Sequence, residues 1–272
     1  MNDNVYSQTR NDELRNTGSK RLILTGTNKG GTGRTFLMLL LWDWLQAMKV
    51  RVATADCDWH SASLTRFLPD SFFFDLAQPD SVDQLLGAFE ENDVVLLDGP
   101  GIQHPRYWEW MFDSGLFQMM ETNGYGITVA LTIEEDKDTV FQAAQAAEAI
   151  GASAAWLVVQ NLKTSESTTI YEKSATRLQL LKMGAQHIVL DRLPWSTLAK
   201  LQQMSRTVGA LIQDPSVSMM EKQRLKNYQT RVFKEFQATS KLLLPEMATS
   251  YRHRSSAERS DMVRPKIAPA EV

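Results

Sequence analysis

Eight residues, Asn28-Lys29-Gly30-Gly31-Thr32-Gly33-Arg34-Thr35, limit what this chain can fold into more than any other stretch. They follow the apolar run Leu22-Ile23-Leu24 and lead into Phe36-Leu37-Met38-Leu39-Leu40-Leu41. A strand, a glycine-rich turn and a helix in that order aim successive backbone N–H groups at one point, and the helix dipole adds its positive end there. Glycine permits the close backbone approach that such a cradle needs. The pattern predicts a phosphate-type anion seat at the carboxyl end of a strand.

The rest of the chain repeats the alternation. Apolar β-type runs occur at 21–25, 50–55, 94–97, 127–133, 156–160 and 187–190, most of them nearly continuous in hydrophobicity. That is the pattern of strands covered on both faces. Helical stretches fall between them, at 36–48, 82–90, 137–150, 168–183 and 197–212. The expectation is an α/β fold, a doubly wound and mainly parallel sheet with helices on both faces, whose ligand site lies beyond the carboxyl ends of the strands. Candidate chemistry sits at three such ends: after Leu24, after Ala55 and after Leu97.

At 272 residues the chain is long enough for one large α/β domain. The expected organisation is a flexible segment over 1–19, a nucleotide-binding domain over 20–213, a helical extension over 214–248 and a disordered basic tail over 249–272. Within the extension Leu225, Tyr228, Val232 and Phe236 recur at helical spacing, and Pro245 should end that helix. Residues 1–19 carry no apolar core of secretory type, and the run Phe36–Leu45 is too short to cross a bilayer, so no transmembrane segment and a cytoplasmic location are expected. The single cysteine, Cys57, excludes a disulfide framework, and the four histidines show no metal-ligand spacing. Net charge is −3, yet residues 220–266 hold eleven Lys/Arg against five Asp/Glu. This basic stretch reads either as a solvated face with a loose tail or as a foot for nonspecific DNA.

The loop departs from the Walker A pattern G-x-x-x-x-G-K-[ST]: Asn28 stands at the first glycine and Arg34 at the lysine. Lys29-Gly30-Gly31, however, resembles the start of the deviant Walker A ATPases, the ParA/MinD group, whose loop reads K-G-G-x-G-K-[ST]. Two further segments are similar to that family. Val52-Ala53-Thr54-Ala55-Asp56-Cys57-Asp58 matches a strand ending in D-x-D, and Val94-Val95-Leu96-Leu97-Asp98-Gly99-Pro100-Gly101 matches the strand whose aspartate precedes a glycine- and proline-bearing switch. Leu157-Val158-Val159-Gln160-Asn161 and Asp191-Arg192-Leu193-Pro194 are counterparts of the family's base-binding segments.

The resemblance implies the following. Residues Asn28 to Phe36 hold the phosphates of ATP or ADP, and Asn161 and Pro194 flank the base. Thr35 coordinates Mg²⁺, Asp98 holds a metal-bound water, and Asp56 is a second candidate for that outer shell. Asp58 orients the attacking water. Lys29 reaches the partner's nucleotide in an ATP-dependent homodimer that works with a cognate DNA-binding adaptor in DNA partition, stability, positioning or transfer, which would bring the protein to the nucleoid. Asp56 and Asp58 read equally well as helix caps, and Asn161 and Pro194 as turn formers.

Arg34 separates this chain from the family. Guanidinium is planar and forms two-pronged contacts where ammonium is a compact point charge, so binding with slow or partner-stimulated hydrolysis is expected. Two other readings stay open: a non-hydrolysing nucleotide-binding adaptor, and an ATP-dependent enzyme activating a small carboxylate. Thr25-Gly26-Thr27 resembles the start of dethiobiotin synthetase-like loops. The aromatic run Tyr107-Trp108-Glu109-Trp110 is expected either at a partner interface or packed under the sheet.

Overall fold

The computed structural model describes residues 19–26, 29–58, 61–76, 78, 81–100 and 106–245. Among the described residues there is one seven-stranded sheet, with β1 (Arg21–Thr25), β2 (Val52–Asp56), β3 (Phe72–Phe73), β4 (Val94–Asp98), β5 (Gly126–Ile133), β6 (Ala155–Asn161) and β7 (Gln186–Leu190). Its order is β3-β2-β4-β1-β5-β6-β7 and every pairing is parallel. The α/β doubly wound expectation is therefore borne out; the two-residue β3 was not foreseen. The register pairs Leu24 with Leu97 and Asp56 with Asp98, so the three strand tips end at one level.

The helices are α1 (Arg34–Ala47), α2 (Ser81–Glu91), α3 (Arg106–Asp113), α4 (Leu116–Thr122), α5 (Lys137–Ile150), α6 (Thr169–Glu172), α7 (Ala175–Lys182), α8 (Trp195–Met204), α9 (Val208–Gln213), α10 (Met219–Ala238) and α11 (Ser240–Leu243). Side chains alternate across the central strand. Ile23 joins a core with α1, α8, α9 and α10, while Leu22 and Leu24 join a second core with α2 to α5. Helix α1 is apolar nearly all round because it is covered nearly all round: Leu37 to Leu41 are buried, and Leu225, Tyr228, Val232 and Phe236 of α10 close its outer side.

Three expected helices are broken, each for a local reason. Ser174 caps α7 through Oγ, which accepts from Arg177 N at 3.1 Å, so 168–183 is two helices. Ser205 turns left-handed at φ 48°, splitting 197–212. The chain also breaks at Thr239 before α11. The restart at α9 depends on Asp43, the lone acid in the apolar run of α1. Its carboxylate accepts from Thr207 Oγ1 and Gly209 N, both at 2.7 Å. A Cβ at position 209 would stand 2.8 Å from Asp43 Oδ1, hence the glycine.

At the opposite end of the sheet the fully buried Arg21 guanidinium donates through Nε to the Leu244 carbonyl at 3.2 Å and through Nη1 to Thr128 Oγ1 at 3.1 Å. Thr128 in turn donates to the Leu242 carbonyl, so α11 is pinned to the sheet. Among the described residues no helix is long and apolar enough to cross a membrane.

Candidate functional site

The glycine loop leaves β1 and re-enters the fold at Gly33, the N-cap of α1, with Gly31 at φ 78° and Gly33 at φ 89°. These left-handed turns exclude most side chains at little cost only because both residues are glycine. The loop is braced from behind. Asn161 Nδ2 donates to the Thr32 carbonyl at 2.9 Å, and a Cβ on Gly33 would stand 2.5 Å from that same nitrogen. Thr132 Oγ1 donates to Thr32 Oγ1 at 2.9 Å, and Lys163 Nζ donates to the Gly31 carbonyl while pairing with Glu134 at 2.7 Å.

In front of the loop, Thr35 Oγ1 donates to Asp98 Oδ2 at 2.6 Å, joining the start of α1 to the tip of β4. The other carboxylate oxygen, Asp98 Oδ1, is buried without a hydrogen-bond partner among the described residues. Burial pushes the Asp98 carboxyl up to about 6, opposed by the Arg34 guanidinium and the Thr35 hydroxyl. An unsatisfied buried oxygen costs roughly 1–3 kcal/mol, and with the Thr35 hydroxyl it brings together two hard oxygens of the kind found around Mg²⁺ and its bound waters. Among the described residues no group of three or more His, Cys, Asp or Glu could hold a metal ion alone. A hard cation here would need oxygens from a bound anion, which is the habit of Mg²⁺.

Arg34 is 8% exposed, and its Nη1 donates to the Pro100 carbonyl at 2.7 Å. The loop cation thus ties the glycine loop to the turn after β4. That turn is packed closely: Gly99 N donates to Thr25 Oγ1 at 2.8 Å, and the fully buried Tyr107 hydroxyl, also without a partner among the described residues, lies 3.1 Å from where a Gly99 Cβ would be. Tyr107 and Met111 are core residues of α3, and Trp110 meets Phe74 edge-on at 5.2 Å, while Phe112 stays exposed.

The two aspartates of the D-x-D segment have different surroundings. Asp56 accepts from Asp58 N at 2.9 Å, Leu64 N at 2.9 Å, Thr65 N at 3.0 Å and Thr65 Oγ1 at 3.2 Å. It braces the segment after β2 and does not line the cleft. This differs from the outer-shell role the resemblance implies. No helix follows β2 before Ser81 among the described residues, so Asp56 holds a turn rather than a helix start. Asp58 accepts from Ser61 N at 3.1 Å and Ser61 Oγ at 2.6 Å, yet it does line the cleft.

Lys29 lies folded onto its own chain. Its Nζ meets Asp136 Oδ2 at 2.7 Å and Asp138 Oδ2 at 3.2 Å, and its backbone N donates to Gln142 Oε1 at 2.9 Å. The Lys29 ammonium holds the Asp136 carboxyl below its ordinary range. Asn28, Gly101 and the residues after 245 in the basic stretch lie outside the described residues.

A cleft of about 410 Å³ opens beside the loop, lined by Gly30, Gly31, Gly33, Arg34, Thr35, Asp58 and Asp98, by Ser61, Ser63, Arg66 and Phe67 after β2, and by residues of α8 and α9 with Arg206 between them. Asn161 and Pro194 do not line it: Asn161 is turned to the back of the loop and Pro194 is the exposed N-cap of α8. The α8 wall was not read from the sequence. Its signal was the i, i+3, i+4 spacing of Leu198, Leu201 and Gln202, which helical periodicity places on one face.

No family model matches the chain, and no curated protein matches it. Among solved structures it is similar to Cyanothece McdA in complex with ATP, at 12% identity and a TM-score of 0.52, over 82% of this chain and 97% of that one. It is also similar to MinD from Pyrococcus horikoshii OT3 complexed with Mg-ADP, at 16% identity and a TM-score of 0.49, over 78% and 96%. MinD from Aquifex aeolicus gives 12% identity and 0.48, over 79% and 97%. At such identities the likeness shows the fold, which is that of an α/β P-loop NTPase.

Proposed function

We propose that the chain binds ATP or ADP with Mg²⁺ at the glycine loop and acts as a ParA/MinD-like, nucleotide-dependent dimerisation switch in DNA or plasmid partition, stability, positioning or transfer, with slow or partner-stimulated hydrolysis. The observation that carries this reading is the Thr35–Asp98 pair with its orphaned buried oxygen, set beside a loop with two left-handed glycines at the start of α1. The fold shared with ATP-bound McdA supports ATP as the nucleotide.

When bound, Mg²⁺ neutralises charge on the terminal phosphates. Residues Gly30 to Phe36 cradle the phosphates, the Thr35 hydroxyl serves as a cation ligand, and Asp98 orders a water beside it. Asp58 orients the attacking water. Lys29 leaves Asp136 and Asp138 to reach the partner's phosphates, adding a positive charge where negative charge is in transfer. The partners are a second copy of the chain, a cognate DNA-binding adaptor, and nonspecific DNA held by the basic residues of 220–266.

A second reading, the non-hydrolysing adaptor, is favoured by the Arg34–Pro100 contact, which commits the loop cation to the backbone after β4. Sedimentation of the purified chain with Mg-ATP, with Mg-ADP and without nucleotide tests the switch. A dimer that forms with ATP alone and disappears in Lys29→Ala is expected; a mass unchanged by nucleotide refutes it. Phosphate release measured alone, with DNA and with the product of a neighbouring gene separates switch from adaptor.

A further inference from the structure

The cleft carries more positive charge than the glycine loop accounts for. Arg66, after β2, and Arg206, between α8 and α9, both line it and are exposed. Among the described residues neither guanidinium makes a hydrogen bond or an ion pair, whereas Arg51, Lys163, Lys200 and Arg231 each pair with a carboxylate. The side chains of Ser63 and Gln202 line the same cleft and also make no hydrogen bond among the described residues. The carboxylates of the cleft are engaged elsewhere: Asp58 accepts from Ser61, and Asp98 stands at the loop beside Thr35. The Asp214 carboxyl is held below its ordinary range by Ser216 first and by the Arg206 charge only in part, with no ion pair between the two.

These donors are anchored apart from the phosphate loop. Arg206 precedes Thr207, whose Oγ1 donates to Asp43. Asp43 stands about two and a half turns beyond Arg34 on α1, roughly 13 Å along the axis at about 1.5 Å per residue. Arg34 itself is tied to the Pro100 carbonyl. The Arg66 guanidinium lies over the Phe67 ring, 5.4 Å from its centroid, a contact that steadies its plane and leaves its N–H edge open. A guanidinium fork matches carboxylate and phosphate oxygens two at a time, and two like charges on one cleft repel until an anion lies between them.

We infer that Arg66 and Arg206 bind a second small anion beside the nucleotide, one bearing a carboxylate or phosphate group, with Ser63 and Gln202 as further donors. The inference rests on the nucleotide reading only for what occupies the glycine loop.

Calorimetric titration of the full chain with succinate and, separately, with inorganic phosphate tests this, each with and without a saturating non-hydrolysable ATP analogue and Mg²⁺. At least one anion is expected to bind under both conditions; succinate alone marks a carboxylate site, phosphate alone a phosphate site. Arg66→Gln and Arg206→Gln should each weaken that anion about tenfold or more and leave the affinity for the analogue unchanged. Arg206→Lys, which keeps the charge without the fork, should weaken it less. Failure of wild-type protein to bind either anion, or displacement of the anion by the analogue, overturns the assignment. So does an equal loss of analogue affinity in the two glutamine variants, which would place both arginines in the nucleotide site itself. Anion binding that needs both arginines in a chain that takes up no nucleotide refutes the nucleotide reading and leaves this site standing. Circular dichroism melts of each variant confirm that the fold persists.

Discussion

Replacing Arg34 by lysine removes a contact whose strength can be worked out. Its Nη1 donates to the Pro100 carbonyl at 2.7 Å from a side chain almost sealed from water. A hydrogen bond from a charged donor contributes about 1.5–3 kcal/mol. Ammonium lacks the planar fork, so Arg34→Lys removes this tether while keeping the positive charge that restrains Asp98. The nucleotide-free variant is expected to unfold in urea with about 1.5–3 kcal/mol less stability. With the cation released into the loop, ATP turnover should rise by roughly 100-fold, since a misplacement on the order of 1 Å costs about that factor. Denaturation and phosphate release on the same preparations measure both quantities. Turnover and stability both equal to wild type would refute the assignment of Arg34 as a tether that restrains hydrolysis.

Burial raises the Asp43 carboxyl to about 6, above its ordinary value of 3.8. The sign follows: the stability linked to its proton is complete below about 3.8 and is lost as pH rises through about 6. Asp43→Asn should flatten the stability–pH curve across that window by about 3 kcal/mol, and parallel curves in urea titrations would contradict this. Gly33→Ala places a Cβ 2.5 Å from Asn161 Nδ2 and forces a left-handed residue. The strain of about 1–2 kcal/mol and the displaced Asn161 bond should lower the melting temperature and abolish tight nucleotide binding; an unchanged calorimetric isotherm would count against the brace. Arg21→Met strands the Leu244 carbonyl, costing about 1–3 kcal/mol, and should expose α11 to early protease cleavage, which mass spectrometry of the fragments would reveal.

The glycine loop and the three strand tips were legible because each is local: a run of apolar residues ends and chemistry follows within a few positions. Doubly wound topology followed from continuous hydrophobicity at 94–97 and 127–133, where no face is left for water. Asp43 was not legible. In sequence it only interrupts an apolar helix, and its partners Thr207 and Gly209 lie far along the chain. The breaks at Ser174 and Ser205 escaped for a related reason, since apolar residues keep helical spacing across them while a cap or a single left-handed residue turns the chain. Asn161 was placed correctly at the end of β6, but whether its amide faces a base or the back of the loop depends on how Thr32 sits. The α8 wall of the cleft was hidden because nothing in the order of residues joins 198–202 to Phe36.

The most direct measurement is a crystal structure of the chain grown with a non-hydrolysable ATP analogue and Mg²⁺. The predicted result is a triphosphate held by the backbone of Gly30 to Phe36, with the cation between Thr35 and Asp98. A nucleotide found elsewhere, or a loop that stays empty at saturating analogue, would contradict it.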